Sequence, residues 1–312
     1  MRVVVIGGTG HIGTWLVPRL VARGHEVIVI SRGTREPYHR SPEWKDVRNL
    51  IVDREAAEAD GSFGGIVAKL AADSVIDLIC FNVASASHLV DALRGQVELF
   101  EHCGTLWVHG VPQSRPYDET APRHPFGDYG IRKAEIEKFL LAESQRGFPA
   151  TILHPGHITG PGWNPINPAG NLDVTVFGRL AAGNLVTLPD HGLATLQHVH
   201  ADDVAQAFEL AIDRRDVARG ESFHIAAREP VTMRSYAEQA ARWYGREANL
   251  QFLPWDSWMM TVSERDAAVT LDHLKHSPCA SIEKARRTLG FEPRFTAVEA
   301  ARDALAETPR PS

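Results

Sequence analysis

The sequence predicts an α/β fold in which a doubly wound parallel sheet carries a smaller C-terminal lobe. Three observations lead there. The chain opens with Arg2–Ile6, a largely β-branched apolar run of the kind buried on both faces of a sheet, and glycines follow at once. Strand-like and helix-like segments then alternate, each bounded by turn residues, an order that implies right-handed crossovers between parallel strands. Across residues 155–171 the composition changes to Gly, Pro and Asn, which continue neither a helix nor a central strand.

The elements follow in order. After the first strand a helix runs from about Ile12 to Arg23 and stops at Gly24. Buried strands are expected at Val27–Ile30, Asn49–Val52, Val75–Phe81 and Leu106–His109. A helix from Tyr129 to about Arg146 carries apolar Ile131, Ile136, Phe139 and Leu140 and ends at Gly147, ahead of a sixth strand at Ala150–His154. The Gly/Pro/Asn stretch reads as a long ordered loop, and loops of this length are usually either functional or disordered. Beyond it come a helix near Val174–Ala182, a strand near Gln197–Val199, a helix near Asp202–Asp213, a strand at Ser222–Ala226, helices at Thr232–Tyr244 and Ser281–Leu289, and a frayed tail at Thr308–Ser312. Residues 1–160, rejoined by about 195–227, thus form the sheet domain, and 161–194 with 228–312 form the lobe.

With 312 residues, 44% hydrophobic and 23% charged, the chain can bury one large core with a lobe attached, which excludes disordered and fibrous classes. A net charge of -6 provides no global field for nucleic acid or an anionic membrane, so neither is expected as a partner. The first apolar run is too short for a secretion signal, and no later run reaches the roughly 18 apolar residues that span a bilayer, so a cytoplasmic protein is expected. Three scattered cysteines, Cys80, Cys103 and Cys279, suit a reducing compartment and read as buried thiols.

Gly7-Gly8-Thr9-Gly10-His11-Ile12-Gly13 lies between the first strand and the first helix. Glycine there allows a tight turn, close approach of backbone N–H groups to a phosphate, and packing of helix on strand, while the helix N-terminus favours an anion. In that context Gly7, Thr9, Gly10, His11, Ile12 and Gly13 read as a cradle for the pyrophosphate of a dinucleotide. The end of the second strand, where an acid usually takes the adenosine ribose of NAD, reads Ser31-Arg32-Gly33-Thr34-Arg35. Without that acid, Ser31 and Arg32 suit a 2'-phosphate, so NADP is the expected cofactor and NAD the alternative. Asp53, ending the third strand, is placed either to accept from the adenine amino group or to serve as a turn residue.

Tyr129 and Lys133 are four residues apart at the start of a helix and share one face. A tyrosine of ordinary pKa, about 10, is a poor acid–base at neutral pH, but a neighbouring ammonium and a nicotinamide charge stabilise its phenolate. The same lysine can hold the nicotinamide ribose.

These motifs, with Leu153-His154-Pro155-Gly156-His157-Ile158-Thr159-Gly160-Pro161-Gly162, Val199-His200-Ala201-Asp202-Asp203-Val204, Lys284-Ala285-Arg286 and Leu289-Gly290-Phe291, resemble the extended short-chain dehydrogenase/reductases, or NAD-dependent epimerase/dehydratase family, over nearly the whole chain. The resemblance implies a Rossmann domain with a substrate-binding C-terminal lobe, Tyr129 as acid–base with Lys133 as its partner, and a homodimer. One departure stands out. The family's Ser or Thr after the fifth strand falls, on this placement, at Gly110, leaving His109 or Ser114 to bond the reacting oxygen, with His109 nearer. For the substrate, His157, Asn164 and Asn167 offer polar contacts suited to a sugar-like ring, and Trp163 is either a substrate face or loop packing. Paired histidines, His154 with His157 and His198 with His200, lack carboxylate or cysteine neighbours at ligand spacing, so no metal is expected. The expected function is an NADP-preferring oxidoreductase or epimerase acting on a small polar carbonyl or alcohol. A dinucleotide-binding sensor that has lost catalysis is the alternative, motivated by the missing serine.

Overall fold

Seven parallel strands form the central sheet of the computed structural model, which describes residues 1–306. In chain order the strands are β1 (Arg2–Ile6), β2 (Glu26–Ser31), β3 (Arg48–Ile51), β4 (Ser74–Asp77), β5 (Leu99–Cys103), β6 (Ala150–Pro155), β7 (His157–Thr159), β8 (Val186–Pro189), β9 (Thr195–Leu196), β10 (His198–His200), β11 (Ser222–Ile225), β12 (Val231–Thr232) and β13 (Leu250–Leu253). The helices are α1 (Gly13–Ala22), α2 (Arg54–Ala59), α3 (Phe63–Ala68), α4 (Val83–Leu93), α5 (Gly127–Gln145), α6 (Thr175–Ala182), α7 (Ala201–Asp213), α8 (Arg215–Ala218), α9 (Met233–Arg242), α10 (Trp255–Trp258), α11 (Glu264–His276), α12 (Glu283–Leu289) and α13 (Ala297–Ala306). Across the main sheet the order is β11-β6-β5-β4-β1-β2-β3, so the winding reverses between β1 and β4, and such a reversal opens a crevice at the carboxyl ends of the strands.

The opening run shows why the sheet is buried on both sides. Val3 and Val5 join one core layer with Leu16 of α1 and Phe208 of α7, while Val4 and Ile6 join the other with Phe63 of α3, Leu89 of α4 and Ile136 of α5. Strand side chains alternate between faces, so an uninterrupted apolar strand satisfies two layers at once. Each fully buried Val or Ile contributes about 1.5–3 kcal/mol. A third core lies outside the sheet, where Phe177, Leu188, Tyr236, Trp258 and Val298 pack around the parallel pair β8–β13. Among the described residues no helix is long and apolar enough to cross a membrane.

The fifth strand is Leu99–Cys103, not Leu106–His109. Glu101 and His102 interrupt its apolar pattern although both are fully buried, and the register fixes it between β4 and β6 through Phe100 opposite Val75 and His102 opposite Ile152. Leu106–His109 is a single 3-10 turn, capped by Thr105, whose Oγ1 accepts from the Trp107 N–H at 3.3 Å. Two polar residues in a wholly buried strand hide it from a periodicity argument. The fourth strand is also shorter than expected: it ends at Asp77, whose Oδ1 accepts from the Ile79 N–H at 3.2 Å and turns the following segment out of the sheet. The segment Thr308–Ser312, expected to fray, lies outside the described residues.

Candidate active site

A cleft of about 510 Å³ opens at the crevice between β1 and β4 and extends under α11. Its first end is the glycine turn. Gly7 adopts φ +85°, and its N–H donates to the Ile30 carbonyl at 2.9 Å, pinning the turn to β2. A Cβ on Gly13 would fall on the backbone of Gly8, so α1 sits against the turn only because position 13 has none. Gly10 and His11 line the cleft, a Cβ on Gly10 would meet only the Gly7 carbonyl, and no acid stands in the first turn of α1. An open turn at a helix N-terminus without competing carboxylate fits a pyrophosphate. Thr9 and Ile12 complete this turn, with Thr9 half-buried and Ile12 on the cleft wall.

At the end of β2, Ser31 Oγ accepts from the Gly33 N–H at 3.3 Å. Arg32 is exposed and, among the described residues, forms no ion pair. Asp53 is exposed and caps α2, its Oδ1 accepting from the Ala56 N–H at 3.1 Å, so capping is the role its geometry shows.

Deeper in the cleft, Lys133 is buried and its Nζ donates to the carbonyls of Cys80 at 2.8 Å and Cys103 at 2.7 Å, with the Phe81 ring centre 4.7 Å away. Burial lowers its pKa. Tyr129 stands half exposed along the cleft and hydrogen-bonds the Thr105 side chain. Enclosure of its hydroxyl raises the phenol to about 12, and the Thr105 bond pulls the other way. The Lys133 ammonium is held by those two carbonyls, and the side-chain bond of Tyr129 is to Thr105.

With β5 ending at Cys103, the position facing Tyr129 belongs to Thr105, not to Gly110. Gly110 adopts φ +65°, and a Cβ there would fall on the His124 carbonyl, so this glycine is required by the turn. His109 is buried away from the cleft, with Nδ1 3.3 Å from the Pro122 carbonyl and Nε2 2.8 Å from His224 Nε2. It cannot reach a reacting oxygen beside Tyr129. Ser114 is exposed outside the cleft lining. The residue that sequence reasoning missed, Thr105, was hidden by the misplaced strand.

The lobe end is aromatic and imidazole-rich. His157 lines the cleft; it pairs in register with His198 across β7 and β10, ring centres 5.3 Å apart, and lies 5.9 Å from His273 of α11. Its Nε2 is buried without a partner. Burial holds His157 well below the ordinary imidazole range, takes His198 down to about 3 and lowers His273, so all three are neutral near pH 7. Trp163 folds back over the glycine turn and stacks on His11 at 4.9 Å. The two amides are placed elsewhere. Asn167 is fully buried within its own loop, its Nδ2 donating to Asn171 Oδ1 at 2.5 Å and to the Asp173 carbonyl at 2.9 Å, and its Oδ1 accepting from the Ala169 N–H at 2.7 Å. Asn164 is exposed outside the cleft lining. Neither reaches a substrate in this cleft. His273 and Trp107, by contrast, line it unforeseen. The signal for α11 was present in Ser263-x-x-Asp266, where Ser263 Oγ accepts from the Asp266 N–H at 3.1 Å. Among the described residues no group of three or more His, Cys, Asp or Glu is arranged to hold a metal.

Residues 3–226 match the NAD dependent epimerase/dehydratase family. The 2'-dehydrokanamycin reductase of Streptomyces kanamyceticus is 30% identical over 257 residues, 81% of this chain and 70% of that protein. The chloroplast stem-loop binding protein of 41 kDa b from Arabidopsis thaliana is 26% identical over 311 residues, 97% of this chain and 78% of that one. Among solved structures, the UDP-glucose 4-epimerase of Thermotoga maritima with UDP-glucose superposes with a TM-score of 0.73 at 21% identity, covering 98% of this chain and 97% of that one, which shows the shared fold.

Proposed function

We propose, from the premise that the chain belongs to the NAD dependent epimerase/dehydratase family, that it moves a hydride between a nicotinamide dinucleotide, NADP by preference, and a carbonyl or alcohol carbon whose oxygen exchanges a proton with Tyr129. The observation that carries this reading is the meeting of Thr105, Tyr129 and Lys133 in one cleft that begins at the glycine turn. Gly7, Gly10, His11, Ile12 and the N-terminus of α1 would hold the pyrophosphate, Lys133 the nicotinamide ribose, and Arg32 with Ser31 the 2'-phosphate. The bound group supplies the hydride acceptor or donor and, when oxidised, a positive charge.

Thr105 and the Tyr129 hydroxyl bracket one substrate oxygen, the threonine bonding it and the tyrosine moving its proton. A phenol raised to about 12 keeps its proton at neutral pH, so proton transfer at Tyr129 would rely on the Thr105 bond and on the positive charge of the oxidised nicotinamide to bring that value down. His109, once expected beside that oxygen, has no part in this scheme. With Thr105 in place, the motive for a non-catalytic sensor falls away. The same reading expects a homodimer in the cytoplasm, formed through α4 and α5.

The test is titration of NADPH and NADH followed by turnover assays on wild type and Tyr129→Phe. We expect cofactor affinity within about twofold of wild type and a loss of turnover of about 10²-fold or more in the variant. Failure of both cofactors to bind, or full turnover without the hydroxyl, overturns the proposal.

A further inference from the structure

Beyond Tyr129 the cleft is built from neutral groups. Trp107, Ile166, Leu172 and Val269 form apolar wall, while Thr105, His157 and His273 supply the polar points. Around the entire cleft, among the described residues, Lys133 is the one charged side chain, and its ammonium is held by the carbonyls of Cys80 and Cys103. Among the described residues no arginine and no carboxylate lines it. Gln197, which does line it, spends its amide on backbone groups: Nε2 donates to the carbonyls of Ala227 and Ala280, and Oε1 accepts from the Ala280 N–H.

Past the glycine turn, where the N-terminus of α1 suits a pyrophosphate, a phosphate or ammonium group moved in beyond Tyr129 would leave water without finding an opposite charge or a helix terminus, and an unpaired buried ion is strongly disfavoured. A neutral hydroxyl or carbonyl meets the opposite situation. The Nε2 atom of His157 is buried and unpartnered, while the ring's other nitrogen is engaged by the backbone of Asn164, so a substrate group bonding Nε2 satisfies an orphaned atom. The two asparagines that had suggested a sugar lie outside this space.

Resting on the reading of Tyr129 as acid–base, we infer that the substrate is an uncharged cyclic alcohol or ketone that lies along Trp107 and Leu172 and bonds His157 through a second oxygen. Nucleoside-diphosphate sugars and polycationic amino sugars are rejected for want of charged partners.

The test uses the full-length protein saturated with whichever of NADPH or NADH binds more tightly. Calorimetry compares trans-decalin-1,5-dione, a neutral bicyclic decalone with a second oxygen for His157, with UDP-glucose and with kanamycin. The decalone is expected to bind at least tenfold more tightly than either charged probe. Leu172→Arg, at a position 42% exposed on the cleft margin and so tolerant of a long polar chain, is expected to weaken decalone at least tenfold with cofactor affinity unchanged. Val269→Arg, on α11, serves as the second variant in the cleft lining. Charged probes binding as tightly as the ketone, no binding of the ketone, or indifference of the ketone to both arginine variants overturns the inference. Failure of the protein to take up either cofactor is read in the same titration and strikes the underlying reading instead.

Discussion

The backbone N–H of Thr105 donates to Nδ1 of His154 at 3.0 Å, and this bond fixes the tautomer of a fully buried histidine. With Nδ1 accepting, the proton sits on Nε2, which donates to Glu137 Oε1 at 2.9 Å. Arg123 closes the chain with a fork on the same carboxylate, at 3.1 and 2.6 Å. Burial alone would raise Glu137, but His154 and Arg123 hold it well below the ordinary carboxylate range. Glu137 belongs to α5, the helix that carries Tyr129 and Lys133, so one helix positions both sides of the proposed proton-transfer site.

His154 is therefore a positioning residue, and His154→Leu is expected to lower kcat about 10–100-fold while cofactor affinity stays near wild type. His154→Gln, which can accept from Thr105 and donate to Glu137, should retain activity to within a few-fold. Steady-state kinetics on the pair decides the matter: equal losses in both would show that the bond to Thr105 is irrelevant.

Removing the hydroxyl of Thr105 should have its own signature. Thr105→Ala is expected to lower kcat/KM about 10–100-fold and to leave NADPH binding unchanged, while Thr105→Ser recovers most of the loss. His109→Phe should leave kcat within about threefold of wild type, since His109 bonds Pro122 and His224 rather than the cleft. A large drop in kcat for a well-folded His109→Phe would refute the placement.

Cofactor choice rests on Arg32. An exposed guanidinium free of ion pairs can give a 2'-phosphate a charge-assisted bond worth about 1.5–3 kcal/mol, so Arg32→Ala should weaken NADPH roughly 10–100-fold and NADH by less than about twofold. Parallel titrations measure this, and equal weakening of both dinucleotides would place the arginine elsewhere.

Acid should unfold the protein early. Burial takes His109 and His276 down to about 4 and His198 to about 3. The folded chain then binds protons less readily than the unfolded chain, so the stability due to these neutral rings is complete above about pH 6.5 and is lost as pH falls toward the folded values. Each ring costs about 1–2 kcal/mol at pH 5. Urea midpoints should fall steeply between pH 7 and pH 5; a flat profile would mean that the rings titrate normally.

Two glycines make a paired test of the turn. Gly13→Ala places a methyl on the Gly8 backbone and should cost about 3 kcal/mol or more together with dinucleotide binding. Gly65→Ala, exposed in α3 with nothing near its Cβ, should stabilise the fold by about 0.5–1 kcal/mol. Chemical denaturation of both variants checks the pair, and similar effects from the two would contradict the steric account.

What the sequence by itself determined were features whose physics is local. The run Val3–Ile6 is buried on both faces because no polar residue interrupts it, the glycines at 7, 10 and 13 answer to one turn, and Tyr129 and Lys133 share a face because four residues make about one helical turn. Tertiary structure decided everything that depends on a distant partner. Glu101 and His102 are tolerated in β5 only because β4 and β6 pair on either side, and that strand boundary is what brings Thr105, rather than Gly110, to Tyr129. Asn167 turned inward because its amide closes its own loop, and His273 entered the cleft on a helix more than a hundred residues away from Tyr129. Local periodicity reports how a residue sits on its element; which side chains meet in one cleft is set by the packing of whole elements against each other.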